Sequence, residues 1–523
     1  MLQGVPAIRH KGKFRFEKAW MYHSSYADLV KLHWQTKTTL PERVTCMADE
    51  FGKWKKNVFG SIHIWKADLM ARMNGIQRKL HTNRHNKYLE RLEHQLQREL
   101  DLVLQQEEAM WFQKSQSQWI KDGDRNTRYY HVKTIARRRR NKILILRNDQ
   151  NDWVENEEDL KNMVNGYYQS LFARPDNNIQ WRQTKYSYPN IGEEEYASLK
   201  ENINNIEVKN ALFAMAPWKA PGPDGFPADF YQHEWRDVGS SICDFVKSAW
   251  HNPVSVATVN LTDICLIPKV NRPEFVSQFR PISLCNVSYK IITKVMVNRL
   301  KQIVPNVVSP FQTGFVPGRN ITKNILIAQE MLHSMTKMKS KLGFFVIKVD
   351  LSKAYDRLSW EFIHQVLLEI KIPDDMINVI MHCVTSIKSD VLWNGNRSDF
   401  FSPQCGIRQG DPMSPYLLLC MDKISHLIAE AIKEGRWKPM RAGRNVPLIS
   451  HLMFADDLLL FGQATDENMT AVMDVLNQFC TIPGQQVNYD KSYIFFSRNV
   501  AANRRVTLST QSGLKETLNL VII

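Results

Sequence analysis

An α/β fold is expected from this sequence, on three observations. Residues 343–360 (GFFVIKVDLSKAYDRLSW) begin as a strand and turn into a helix. Residues 449–462 (ISHLMFADDLLLFG) read as strand, tight turn, strand. Between about 25 and 120, apolar residues recur at helical spacing instead. The chain has 523 residues, room for one large core with extensions or for several domains.

In the first segment Phe345, Ile347 and Val349 alternate with Phe344, Val346 and Lys348, as in a half- or fully buried strand ending at Asp350. Phe362, Ile363, Val366, Leu367 and Ile370 then share one helical face. An acid at the end of a buried strand is costly unless it is paired or binds a cation. Taken alone, Asp350 reads as a helix cap or a structural turn. The second segment changes that. Asp456 and Asp457 sit side by side between apolar runs, where two carboxylates repel each other. A divalent cation relieves the repulsion, and hard oxygen ligands suit Mg²⁺. If Asp350 lies beside this hairpin, the three acids can hold two ions about 3.5–4 Å apart.

Residues 14–20 (FRFEKAW) alternate aromatic and charged side chains like a strand. Leu89, Leu92, Leu96, Leu100 and Val103 form one helical stripe, packed on a neighbouring helix or on a coiled-coil partner. Residues 119–143 (WIKDGDRNTRYYHVKTIARRRRNKI) interleave Arg125, Arg128, Lys133 and Arg137, Arg138, Arg139 and Arg140 with Tyr129, Tyr130 and His131. Guanidinium groups neutralise phosphates and aromatic faces stack on unpaired bases, so this stretch is a candidate nucleic-acid clamp. Four consecutive arginines surround a helix, which suits backbone contacts better than base reading. Residues 151–205 read as a connecting region. Residues 218–230 (WKAPGPDGFPADF) form a turn-rich loop.

The formal net charge of +16 favours a polyanionic partner, nucleic acid before membrane. The eight cysteines form no CxxC pair, so zinc-knuckle spacing is absent. Dispersed cysteines without a secretory signal point to reduced thiols in an intracellular protein, nuclear or cytoplasmic. No apolar run has membrane-spanning length.

Several motifs together resemble those of reverse transcriptases of the plant non-LTR (LINE-type) retrotransposons. That family carries an Asp followed five residues later by an aromatic, here Asp350 and Tyr355, and a Phe-Ala-Asp-Asp hairpin, here residues 454–457. CGIRQGDPMSPYLLL (405–419) resembles the signature whose Gln-Gly pair packs against the incoming nucleotide. LIPK (266–269) and FRPISL (279–284) resemble fingers motifs, and SPFQTGFVPGRNI (309–321) the insertion that follows them. VNYDKS (487–492) resembles the motif after the catalytic hairpin; residues 219–226 and 119–131 resemble plant LINE sequences upstream of the core.

The resemblance implies a right-hand palm-and-fingers core, with an antiparallel palm sheet, helical fingers and a long helical N-terminal extension. It implies an RNA-directed DNA polymerase using RNA template, DNA primer, deoxynucleoside triphosphates and two Mg²⁺ ions. Asp350, Asp456 and Asp457 would hold the metal. Lys269 and Arg280 would pair with the triphosphate. Tyr355 would lie under the sugar and exclude a 2′-hydroxyl. Gln409 would hydrogen-bond the sugar-phosphate region, and Gly410 would allow close approach before a helix starting near Ser414 and Pro415. Lys491 would protonate the leaving pyrophosphate. The division expected is 1–20, remnant of an endonuclease C-terminal strand; 21–150, helical basic extension; 151–250, linker and upstream fingers region; 251–505, fingers and palm; 506–523, truncated tail. A thumb and C-terminal region would then be missing. The competing reading is a catalytically impaired relic that only binds RNA. A group II intron maturase is the third, disfavoured by the plant LINE-like upstream segments.

Overall fold

The structure, a computed structural model, describes residues 14–82, 86–115, 127–173, 184–338, 342–413, 419–443, 446–481 and 484–519. Two sheets organise it. In chain order the strands of these two sheets are β1 (Leu261–Pro268), β2 (Phe279–Cys285), β3 (Phe344–Val349), β4 (Lys388–Trp393), β5 (Asn396–Arg397), β6 (His451–Phe454), β7 (Asp457–Gln463), β8 (Tyr493–Phe496) and β9 (Lys515–Glu516). One sheet has the order β2-β1-β4-β5, the other β6-β7-β3-β8-β9.

The expected strand at 14–20 does not form. Residues 14–17 lie in no sheet, and Lys18–Tyr22 is a 3₁₀ turn. The alternating rings serve side-chain packing instead. Phe14, Phe16 and Trp20 join Phe51, Phe226 and Phe230 in an aromatic cluster, with centroids 4.9 Å apart for Phe14 and Phe226 and 5.3 Å for Trp20 and Phe51. The turn-rich loop at 218–230 is the other half of this cluster. Its Gly225 backbone lies so close to the Phe14 carbonyl that a Cβ would stand 2.4 Å from that oxygen.

The leucine stripe lies on the helix Lys87–Ser115, which packs along Ile62–Thr82. Ion pairing of Lys66 with Glu107 and a hydrogen bond from Gln77 to Glu93 show that the two run antiparallel. Leu96 and Val103 are buried there, within one chain. Residues 151–205, expected as connection, contain the helix Glu157–Leu171. Its Leu160, Val164 and Tyr168 pack on Ile264, Leu266, Val391 and Trp393 of the β1–β4 sheet.

On the other face of that sheet Asp263 and Asp390 are register partners across β1 and β4, and both are buried. Arg397 reaches both, with Nε 2.7 Å from Asp263 and 3.1 Å from Asp390.

The five-stranded sheet is covered on both faces. Val346, Leu459 and Phe461 pack against Ala328, Met331 and Met335 of the helix Ile321–Lys337. Phe345, Ile347, Leu458 and Leu460 join the main core with Val472 and Leu476 of Asp466–Thr481. Four strands are antiparallel, as expected, but β8 pairs with β9 in parallel. The helix Ala502–Ser512 between them supplies the crossover that parallel neighbours need. No helix among the described residues is long and apolar enough to cross a membrane.

Candidate active site

Strand register brings the acids together. β7 pairs with β3 so that Leu458 faces Val349, which sets Asp457 beside Asp350 at the same end of the sheet. β6 and β7 close on the pair Phe454 and Asp457, so Ala455 and Asp456 form a two-residue turn. Such turns require positive φ, and Ala455 has φ +55°. For a residue with a Cβ that costs roughly 1–2 kcal/mol.

The three carboxylates act on one another. Burial raises the Asp456 pKa, and the charges of Asp457 and Asp350 raise it further. Burial also raises Asp457; Lys348 works against this and Asp350 adds to it. Asp350 is held by the segment that follows the hairpin. Its carboxylate accepts from the Asn488 side chain at 3.0 Å, its carbonyl accepts from the Asn488 N–H at 2.8 Å, and its N–H donates to Ser492 Oγ at 3.0 Å. Among the described residues, no three acidic, imidazole or thiol side chains are drawn into a closed metal cage. The donor chemistry nonetheless suits a hard divalent cation. Three mutually repelling carboxylates sit at a sheet end, Asp350 and Asp456 half-buried and Asp457 exposed.

A second cluster stands next to them. Strands β1 and β2 are antiparallel partners with Ile267 opposite Arg280, so Lys269 and Arg280 lie at one end of that hairpin. Partial burial lowers the Lys269 pKa. The carboxylates of Asp356 and Asp350 oppose this, and the charges of Lys491 and Arg280 add to it. One ammonium group therefore senses four charged residues from three separate stretches of chain. Tyr355 has its hydroxyl pushed up to about 12, by burial and then by Asp456. Lys491 is exposed on the turn whose backbone N–H bonds to Asn488 O at 3.1 Å. Gln409 donates from Nε2 to Asp356 at 3.4 Å, and its carbonyl accepts from the Ser283 N–H at 2.9 Å. Gly410 has φ +100°. The helix expected from Ser414 lies outside the described residues.

Two members of this cluster escaped sequence reasoning. Asp356 is buried, and burial lifts its pKa to about 6 against the pull of Lys353 and Lys269. Lys353 takes a left-handed conformation (φ 54°), lies 4.4 Å over the Tyr167 ring and bonds to its hydroxyl. Burial brings its pKa down to about 8. Asp356 directly follows Tyr355, but nothing local marks it as buried beside lysines.

The arginine run does not join the carboxylates. Thr127–Asn141 packs on the end of Lys87–Ser115 and on β1. Arg137 donates to the carbonyls of Lys114 at 2.6 Å and Ser115 at 3.1 Å, capping that helix. Arg128, Arg138, Arg139 and Arg140 are exposed, and Arg125 lies outside the described residues. Arg137 and Arg138 border a bay of about 630 Å³, together with Arg15, Lys142 and Arg397.

Residues 267–512 match the family model described as reverse transcriptase (RNA-dependent DNA polymerase). The chain is 24% identical over 391 residues to the Transposon TX1 uncharacterized 149 kDa protein of Xenopus laevis, across 73% of this chain and 29% of that protein. It is 26% identical over 297 residues to the Pol polyprotein from type-2 retrotransposable element R2DM of Drosophila melanogaster, across 56% and 26%. A third similarity, 46% over 65 residues, is to the uncharacterized mitochondrial protein AtMg01250 of Arabidopsis thaliana, across 12% and 53%. The aligned part thus spans less than a third of the first two relatives. From the acids, the basic cluster facing them and these similarities together, residues 267–512 form a reverse transcriptase domain of the non-LTR retrotransposon type.

Proposed function

We propose that this chain is the polymerase portion of a LINE-type retrotransposon protein, extending a DNA primer along an RNA template. The observation that carries the reading is the register placing Asp350 beside Asp457, with Asp456 within reach of both charges. Asp350, Asp456 and Asp457 would hold two Mg²⁺ ions. Bound there, the ions would supply the charge that activates the primer 3′-hydroxyl and stabilises the triphosphate and the leaving pyrophosphate.

The chain's own residues bind and orient the rest. Lys269 and Arg280 pair with phosphate oxygens. Lys491 holds a proton for the departing pyrophosphate. The Tyr355 ring, near Asp456, lies under the sugar and disfavours a 2′-hydroxyl. Gln409 and Gly410 border the nucleotide. In a right-hand description the five-stranded sheet is the palm and the β1–β2 hairpin belongs to the fingers. The exposed arginines of Thr127–Asn141 contact nucleic-acid backbone. The Arabidopsis similarity supports a plant source.

Primer extension on an RNA template with Mg²⁺ and deoxynucleotides tests this directly. Template-dependent incorporation is expected. Retention of RNA with no incorporation at any Mg²⁺ concentration would return the chain to an RNA-binding role.

A further inference from the structure

We infer that Gln312 is a positioning residue for the turn that carries Asp456 and Asp457, an inference that rests on the polymerase reading above. Gln312 lies in the loop between the helices Val287–Val307 and Ile321–Lys337, and it is fully buried. Its Oε1 accepts from the Ala455 N–H at 3.0 Å and from the Gly314 N–H at 2.8 Å. Its Nε2 donates to the Ala455 carbonyl at 3.1 Å. One amide thus grips the backbone on both sides of the residue with left-handed φ. That conformation is unfavourable for alanine, so surrounding contacts must hold it.

The loop is itself pinned against the hairpin. Arg319 donates to the carbonyls of Pro305, Val308 and Gln312 at 2.9, 3.0 and 2.7 Å, and also to that of Ser309. Asn324 donates to the carbonyls of Met453 at 2.9 Å and Phe311 at 3.2 Å. The Thr313 N–H bonds to Met453 O at 3.1 Å, and the Met453 N–H to Phe311 O at 3.0 Å. A Cβ on Gly314 would stand 2.2 Å from the Ala455 nitrogen. The loop is therefore moulded to one shape of the turn. Residue 455 immediately precedes Asp456, so its dihedrals aim the Asp456 carboxylate. Released from Gln312, the turn loses that aim, and misplacement by about 1 Å costs on the order of 100-fold in rate.

The test uses the full chain with Gln312→Met, which keeps length and loses all three bonds. Gly314→Ala is the second variant, pushing on Ala455 while leaving Gln312 intact. Three properties are read: thermal unfolding, Mn²⁺ binding followed by the electron paramagnetic resonance signal of the free ion, and single-nucleotide incorporation against Mg²⁺ concentration. Expected for both variants are a cooperative melt at a lowered midpoint, Mn²⁺ binding shifted to higher concentration, and kcat of the folded fraction lowered on the order of 100-fold with KM for the nucleotide little changed. A glutamine that merely stabilises the fold would lower the melting temperature and the active fraction, leaving the metal dependence of the surviving activity as in the parent. That outcome, or parental kcat in Gln312→Met, overturns the inference. If the parent binds Mn²⁺ but incorporates nothing, the polymerase reading fails, while the Mn²⁺ shift still judges Gln312.

Discussion

Two groups of neighbouring aspartates solve the same electrostatic problem in opposite ways. Asp263 and Asp390 lie side by side within the β1–β4 pairing, and the guanidinium of Arg397 stands against both. Burial and the charge of Asp263 hold the Asp390 pKa well above the ordinary carboxylate range, so the pair keeps a proton. One cation and one proton neutralise the pair from within the fold. Asp350, Asp456 and Asp457 meet at the end of the other sheet, where strands give way to turns. Lys348 offsets Asp457, and Asp350 accepts an amide from Asn488. Neither device cancels three charges. Acids balanced internally belong to the architecture; acids left with excess charge at an open edge await something positive from outside.

That contrast predicts opposite responses to substitution. The largest effect is expected at the sheet end. Asp456→Asn should cut incorporation by about 10³-fold, the scale of losing one preorganised charge-stabilising group. Its melting temperature should hold or rise, because a repulsion has been relieved. A variant that loses activity because it unfolds would erase the distinction.

Arg397→Ala should do the reverse. Leaving two buried acids without their guanidinium should destabilise the protein by about 3 kcal/mol, read from urea midpoints. Parental stability in that variant would mean Arg397 is dispensable to the pair. Next in size is Lys269→Ala, expected to raise KM for the nucleotide by about tenfold with a smaller change in kcat, as for one lost charge-assisted contact. Steady-state kinetics with varied nucleotide would check it, and an unchanged KM would remove Lys269 from the triphosphate site.

The smallest effect concerns pH. The folded pair retains a proton that the unfolded chain releases near the usual carboxylate pKa of about 3.9. The folded state therefore binds more protons, and this part of its stability is lost as pH rises from about 4 toward the raised folded pKa. Asp390→Asn should flatten that decline. Unfolding free energies across this range will show it as a shallower slope, and an unchanged slope would assign the pH dependence elsewhere.

Legibility in the sequence followed how local the evidence was. Asp350, Asp456 and Asp457 could be read because each ends an apolar run, and the apolar runs are themselves the strands that bring them together. Lys269 and Arg280 were legible through neighbouring motifs that pair as one hairpin. Gln312 stood in a quoted motif without a role, since its partner is the backbone of a residue 143 positions away. Asp356 and Lys353 were missed because their pKa shifts come from burial. The aromatic alternation at 14–20 misled, because rings feeding a cluster and rings on a strand leave the same pattern.

By itself the sequence determined the chemistry on offer: which segments become strands, which acids cap them, and that a basic chain carries them. Hydrophobic alternation and charge are local properties that each segment carries by itself. Tertiary structure decided which charges are neutralised and which remain. Arg397 reaches Asp263 and Asp390, Arg137 is committed to a helix end, and Gln312 clamps the turn, because strand register and loop packing join residues that no local pattern connects.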